Sequence, residues 1–103
     1  MSRGRSSYSL EEVRRIVEQY VELRARADTH AAGLRTLTLL IDLDRALPQL
    51  PLTLRAVVVM HGLAGIDMET VADVLQVSRK TISKRYHEAL ELLHFNMNGG
   101  FHF

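Results

Sequence analysis

Apolar residues recur at three- and four-residue steps in nearly every stretch of this chain, and residues that cap or break helices separate the stretches. Leu10, Val13, Ile16, Val17, Tyr20, Val21 and Leu23 line one side of a first predicted helix, and Glu11, Arg14, Arg15, Glu18, Glu22 and Arg26 form its mixed-charge outer face. Ser9-Leu10-Glu11-Glu12 reads as a capping box, in which the serine oxygen and the Glu12 carboxylate each satisfy a backbone donor. Asp28-Thr29 offers a break and a new cap, and after Gly33 the positions Leu34, Leu37, Leu40, Ile41 and Leu47 predict a second helix. Pro48 ends it, because proline lacks a donor and disfavours the helical conformation at Leu47. A third helix begins near Pro51, carries Leu54, Val57, Val58 and Met60, and is expected to close at Gly62 and Gly65. Val57-Val58-Val59 fits a strand on propensity alone, but its helical flanks favour helix.

The run Ile66 to Leu93 predicts two further helices joined by a tight turn. Asp67 caps the first, with Glu69 in its opening turn and Val71, Ala72, Val74 and Leu75 as its apolar face. Gln76-Val77 stops it and Ser78 caps the next, whose apolar positions Ile82, Tyr86, Ala89, Leu90 and Leu93 must meet a core. The opposite face holds Arg79, Lys80, Ser83, Lys84 and His87, with no acidic residue between Ser78 and His87. A short helix, a turn and a longer helix with a basic N-terminal face is the helix-turn-helix arrangement, in which the second helix enters the major groove. A solvated basic surface is the bland alternative; cap, turn, apolar stripe and clustered cations occurring together favour DNA contact.

From Leu43 to Leu93 the chain resembles region 4 of sigma-70-type transcription initiation factors, especially the extracytoplasmic-function group. The residues that carry this are Leu43 to Pro51 (LDRALPQLP), Arg55, Val57, Gly65, Ala72, Leu75, Ser78, Thr81-Ile82, Arg85 and Ala89, in register without a gap. The resemblance implies that Arg79, Lys80, Ser83 and Lys84 face base edges. Arg85 and His87 are assigned to phosphates, Ser78 and Thr81 complete the DNA-binding set, and Tyr86 belongs to the core. Where the family usually has glycine in the motif turn this chain has Gln76, so a turn that keeps its left-handed residue would cost about 1–2 kcal/mol. Lys80 replaces a small residue common in the extracytoplasmic-function group and adds a cation where the helix meets DNA. The 42 residues ahead of the resemblance are too few for the sigma domain that melts promoters, so a complete sigma factor is not expected.

Composition changes this picture little. A formal charge of +1 is too small to mark a nucleic-acid binder, so the argument rests on local clustering. Absence of cysteine removes disulfides and thiolate zinc sites and fits a reducing compartment. No apolar run approaches a membrane span and MSRGRSSYS has no signal-peptide core, which predicts a cytoplasmic protein with no membrane partner. His30, His61, His87, His94 and His102 have no metal-ligand spacing, and no nucleophile elbow or phosphate-cradling loop is present. Asp42 and Asp44 diverge around their helix, which argues against paired acid–base work. The expectation is therefore a non-enzyme with no catalytic residue, cofactor or metal.

The predicted fold is all-α: residues 1–8 a disordered arm, read first as a solvated terminus and second as a basic arm in which Arg3 and Arg5 reach DNA, 9–47 a helical hairpin, 48–95 a helix-turn-helix domain, and 96–103 a flexible tail; Phe95, Phe101 and Phe103 after Leu93 are expected to fold back on the core or pack on a partner. Two functions stay open. One is a sequence-specific double-stranded DNA-binding transcription regulator reading the major groove with helix 78–93, with the apolar hairpin stripe of Leu10, Val13, Ile16, Val17, Tyr20, Leu34, Leu37, Leu40 and Ile41 building a homodimer. The other is a sigma-like module that docks on RNA polymerase or another transcription protein. A small bacteriophage regulator or host-takeover protein fits either.

Overall fold

The computed structural model describes residues 8–28 and 33–99. The arm carrying Arg3 and Arg5, the Thr29 cap, His30, and Phe101, His102 and Phe103 lie outside the described residues. Those described form helices α1 (Leu10–Glu18), α2 (Tyr20–Asp28), α3 (Leu34–Ala46), α4 (Leu52–Val57), α5 (Met68–Leu75) and α6 (Arg79–Met97), with no strand among them. A 3₁₀ turn, Leu47–Gln49, follows α3, and a π-helical stretch, Val58–Leu63, continues α4.

Ser9 caps α1 by accepting from the Glu12 N–H at 3.0 Å. The Glu12 carboxylate pairs with Arg35 of α3 at 2.8 Å, which, with the Ser9 backbone N–H, holds it below the usual carboxylate range. The expected single first helix breaks at Gln19, whose φ of −112° and ψ of 17° leave the helical region and separate α1 from α2. Tyr20 and Arg24 of α2 then reach Asp44 of α3 at 3.1 Å each, closing the hairpin.

One core serves hairpin and helix-turn-helix alike. Val13, Ile16 and Val17 of α1, Leu39, Leu43 and Ala46 of α3, Val57 of α4, Val71 and Ala72 of α5, and Ile82, Tyr86, Ala89, Leu90, Leu93 and Met97 of α6 belong to a single buried cluster. The expected stripe on α3 is thereby corrected. Leu39, Leu40, Leu43 and Ala46 face inward, whereas Leu34 is 80% and Ile41 53% exposed. Both registers have helical spacing, and only the position of α6, α1 and α2 against α3 selects between them.

Tyr8, assigned to the arm, is instead 2% exposed and part of the core. Its hydroxyl donates to Asp42 Oδ2 at 2.5 Å, its N–H donates to Asn98 Oδ1 at 2.8 Å, and its carbonyl accepts from Asn98 Nδ2 at 3.1 Å. His94 Nε2 lies 2.8 Å from the same carbonyl oxygen. The helix expected over 78–93 runs on to Met97, and Asn96 and Met97, expected in the flexible tail, are buried. Its far end is where the start of the described chain is tied down.

Gly62 does not close the third helix as expected. It lies buried within the π-helical stretch, where an added Cβ would run into Val17 Cγ1 and come within 3.2 Å of the Tyr86 ring. Closure falls to Gly65, whose φ of 73° only glycine adopts without strain. The Val57–Val59 run is helical, as its flanks predicted.

Candidate nucleic-acid interface

The motif helices are built by their caps. Asp67 Oδ1 accepts from the Thr70 N–H at 2.9 Å, and the Thr70 hydroxyl donates to Asp67 Oδ2 at 3.1 Å. These donors hold the Asp67 carboxyl below its usual range. At the other end of α5, Gln76 adopts the left-handed conformation, φ 59° and ψ 45°. The Val77 N–H reaches back to the Ala72 carbonyl at 3.1 Å and the Gln76 N–H to Asp73 at 3.3 Å, the paired bonds of a Schellman turn. The turn is kept, with a side chain where glycine would be unstrained. Among the described residues Gln76 alone combines positive φ with a side chain.

Ser78 Oγ accepts from the Thr81 N–H at 3.1 Å and donates to the Thr81 hydroxyl at 3.0 Å, opening α6. Ser78 and Thr81 therefore hold each other at the start of the helix. Arg79, Lys80, Ser83, Lys84 and His87 are exposed, and Arg85 is half-buried. Ile82, Tyr86, Ala89, Leu90 and Leu93 are buried, so the apolar stripe anchors α6 while the basic side stays accessible. Val74, expected on the inner face of α5, is 60% exposed; Val71 and Ala72 make the contact instead.

None of the described acidic groups makes an ion pair with Arg79, Lys80, Lys84 or Arg85. His87 differs, its Nε2 lying 3.4 Å from Glu91 Oε2 one turn on, an exposed pair of small energetic weight. Four cations with no ion-pair partner among the described acidic groups, in the first half of a helix, form a local positive field that a phosphate backbone would complement. The positive helix N-terminus adds to it.

A shallow groove between α5 and the start of α6 is lined by Glu69, Ala72, Asp73, Val77, Ser78 and Arg79. Glu69 and Asp73 lie one helical turn apart on α5, and the turn at Gln76 folds α6 back so that they share this groove with Arg79. Their charge limits how closely α5 can approach phosphate, which leaves α6 as the element with the favourable field. Among the described residues no group of three or more His, Cys, Asp or Glu side chains is placed to hold a metal, and no helix is long and apolar enough to cross a membrane.

Residues 40–93 match the family described as Sigma-70, region 4, over just more than half of the 103-residue chain. The chain belongs to this family. The matched segment begins inside α3 and ends inside α6, so it takes in α5, the turn and α6 as far as Leu93, and leaves out α1 and α2. No curated protein and no solved structure matches the chain. Region 4 is a DNA-binding helix-turn-helix module of sigma-type transcription factors, and the capped, two-helix geometry above is its structural expression here.

Proposed function

We propose that this protein is a sequence-specific double-stranded DNA-binding transcription regulator that reads the major groove with the N-terminal half of α6. The observation that carries the reading is the exposed basic side formed by Arg79, Lys80 and Lys84, with the half-buried Arg85 at its flank, on a helix whose opposite side is locked into the core. Arg79, Lys80, Ser83 and Lys84 are assigned to base edges, where a bidentate arginine or a lysine reads guanine. Arg85 and His87 are assigned to phosphates, which position the helix without reading sequence. Ser78 and Thr81 act at the margin of the contact, through hydroxyls already engaged in the cap. Such a protein would work in the cytoplasm, where bacterial DNA and RNA polymerase lie.

The outward side of α3 supports a homodimer. Leu34, Leu37 and Ile41 follow each other at three- and four-residue steps and are exposed there, a stripe that a second copy of α3 would cover. Docking on RNA polymerase is the second reading, favoured by Leu52 and Val59, exposed apolar residues of α4 and its π-helical continuation that lie seven apart within the family segment.

Selection of bound duplexes from a random pool, followed by titration across a salt series, tests the proposal. Enrichment of one sequence with a steep salt dependence is the expected result. Failure to enrich any sequence, with retention of RNA polymerase in a pull-down, would replace the DNA reading by the docking one.

A further inference from the structure

The middle of the recognition helix is held from outside the family segment. Tyr86 lies seven residues after Arg79, is 5% exposed, and its hydroxyl donates to Glu18 Oε2 of α1 at 2.9 Å. Burial and the Glu18 carboxylate both push the Tyr86 phenol up, so the donor keeps its proton throughout the range in which DNA is bound. The His61 ring meets the Tyr86 ring edge-on, with centroids 4.7 Å apart and planes at 87°. His61 Nδ1 lies 2.7 Å from the Ile66 carbonyl oxygen, an arrangement that places a proton on that nitrogen, and Ile66 directly precedes the Asp67 cap of α5. A line of contacts thus runs from Glu18 in α1 through Tyr86 in α6 to His61 and the start of α5.

Apolar packing around these groups is non-directional, whereas a hydrogen bond to a carboxylate has a preferred length and angle and fixes one register. The lever is long enough to matter. Seven residues of helix separate Tyr86 from Arg79 by about 10 Å, so a tilt of about 5–10° at Tyr86 moves Arg79 by about 1–2 Å. The distance window of a good base-edge hydrogen bond is about 0.5 Å.

We propose that Tyr86 and Glu18 are positioning residues for DNA reading, through which the N-terminal helix sets the angle between the two helices of the motif. The inference rests on the DNA-reading function proposed above and extends the reading unit beyond residues 40–93. Glu18 is exposed, so its replacement leaves no buried charge and the fold can persist.

The test uses the full chain as wild type, Tyr86→Phe, Glu18→Ala, Glu18→Gln and the double variant Tyr86→Phe/Glu18→Ala. Residual dipolar couplings give the mutual orientation of α1, α5 and α6, and each protein is titrated with the duplex the wild type selects and with random-sequence duplex. Tyr86→Phe and Glu18→Ala should turn α6 against α5 and lower the ratio of selected to random affinity by about tenfold, the scale of one base contact, with random-duplex binding unchanged. Glu18→Gln, whose amide oxygen still accepts, should keep both orientation and ratio, and the double variant should be no worse than either single change. Unchanged couplings in Tyr86→Phe, an equal fall on both duplexes, or additive losses in the double variant would overturn the proposal. If the wild type selects no sequence while Tyr86→Phe still turns α6, the DNA reading fails and the positioning contact itself is supported.

Discussion

The Tyr8 hydroxyl donates to the Asp42 carboxylate at 2.5 Å, joining the residue ahead of α1 to the middle of α3, 34 positions away in sequence. Arg35 lies over the same ring, 5.3 Å from its centroid, and the backbone of Tyr8 is bonded to Asn98 beyond the end of α6. Tyr8→Phe should cost about 1.5–3 kcal/mol, the net value of one hydrogen bond to a charged group, and Tyr8→Ala about 3–5 kcal/mol, the value of a buried aromatic side chain. Urea unfolding of the two variants checks this; equal, negligible losses would mean that Tyr8 is a solvated terminus after all.

The same contact gives an alkaline limit to stability. Burial, then the Asp42 carboxylate, pushes the Tyr8 phenol from 10.0 to about 12. The folded state therefore holds its proton where the unfolded chain has released it. This contribution is complete below about pH 10 and is lost as pH rises towards about 12. Tyr20 is raised as well, by burial and Asp44, so Tyr8→Phe should reduce the fall in melting temperature between pH 9 and 12 without abolishing it. A slope identical to wild type would contradict the assignment.

Gln76→Gly should stabilise the protein. The left-handed backbone at φ 59° costs a non-glycine residue about 1–2 kcal/mol, and glycine returns about 0.4–1 kcal/mol of that to the unfolded chain as entropy. A net gain of about 0.5–1 kcal/mol in denaturant unfolding is expected. A loss would show that the Gln76 side chain makes a compensating contact.

Gly62→Ala should do the opposite, although alanine is the better helix former by about 1 kcal/mol. The added methyl group has to displace Val17 and approach the Tyr86 ring, an overpacking cost of about 1–3 kcal/mol. Thermal unfolding gives the sign, and a stabilised Gly62→Ala would mean that Val17 and α1 can retreat freely from the π-helical stretch.

Base readers and phosphate contacts fail differently. Alanine at Arg79 or Lys84 should cost about 1–3 kcal/mol on the selected duplex and much less on random duplex. Arg85→Ala should weaken both alike and reduce the slope of log K against log salt by about 0.9, one phosphate contact. Parallel losses in all three variants would reduce the basic side to an electrostatic pad.

The hairpin dimer makes its own demand. With Val13, Ile16, Val17 and Leu40 already buried, the surface left for a second copy is centred on Leu34, Leu37 and Ile41. Sedimentation at about 10–100 µM, a range suited to weak association, should show a dimer that Leu34→Glu/Ile41→Glu returns to monomer. A monomeric wild type at those concentrations would leave the α3 stripe without this role.

Local chemistry determined the parts that the sequence alone could show. Ser9, Asp67 and Ser78 cap helices because a side-chain oxygen satisfies backbone donors within three residues, and such bonds need no distant partner. The stripe of Ile82, Tyr86, Ala89, Leu90 and Leu93 was equally legible, since helical geometry leaves its basic opposite side only one direction to face. Tertiary structure decided whatever depended on a partner far along the chain. Helical spacing on α3 admits Leu34–Leu37–Ile41 or Leu39–Leu43–Ala46, and only the placement of α6, α1 and α2 chooses the second for burial. Gly62 reads as a helix stop until Val17 and Tyr86 are seen to occupy the space of its missing side chain. Tyr8 among serines and arginines carries no periodicity at all; its burial comes from Asp42, His94 and Asn98, which the fold brings to it from 34, 86 and 90 positions away.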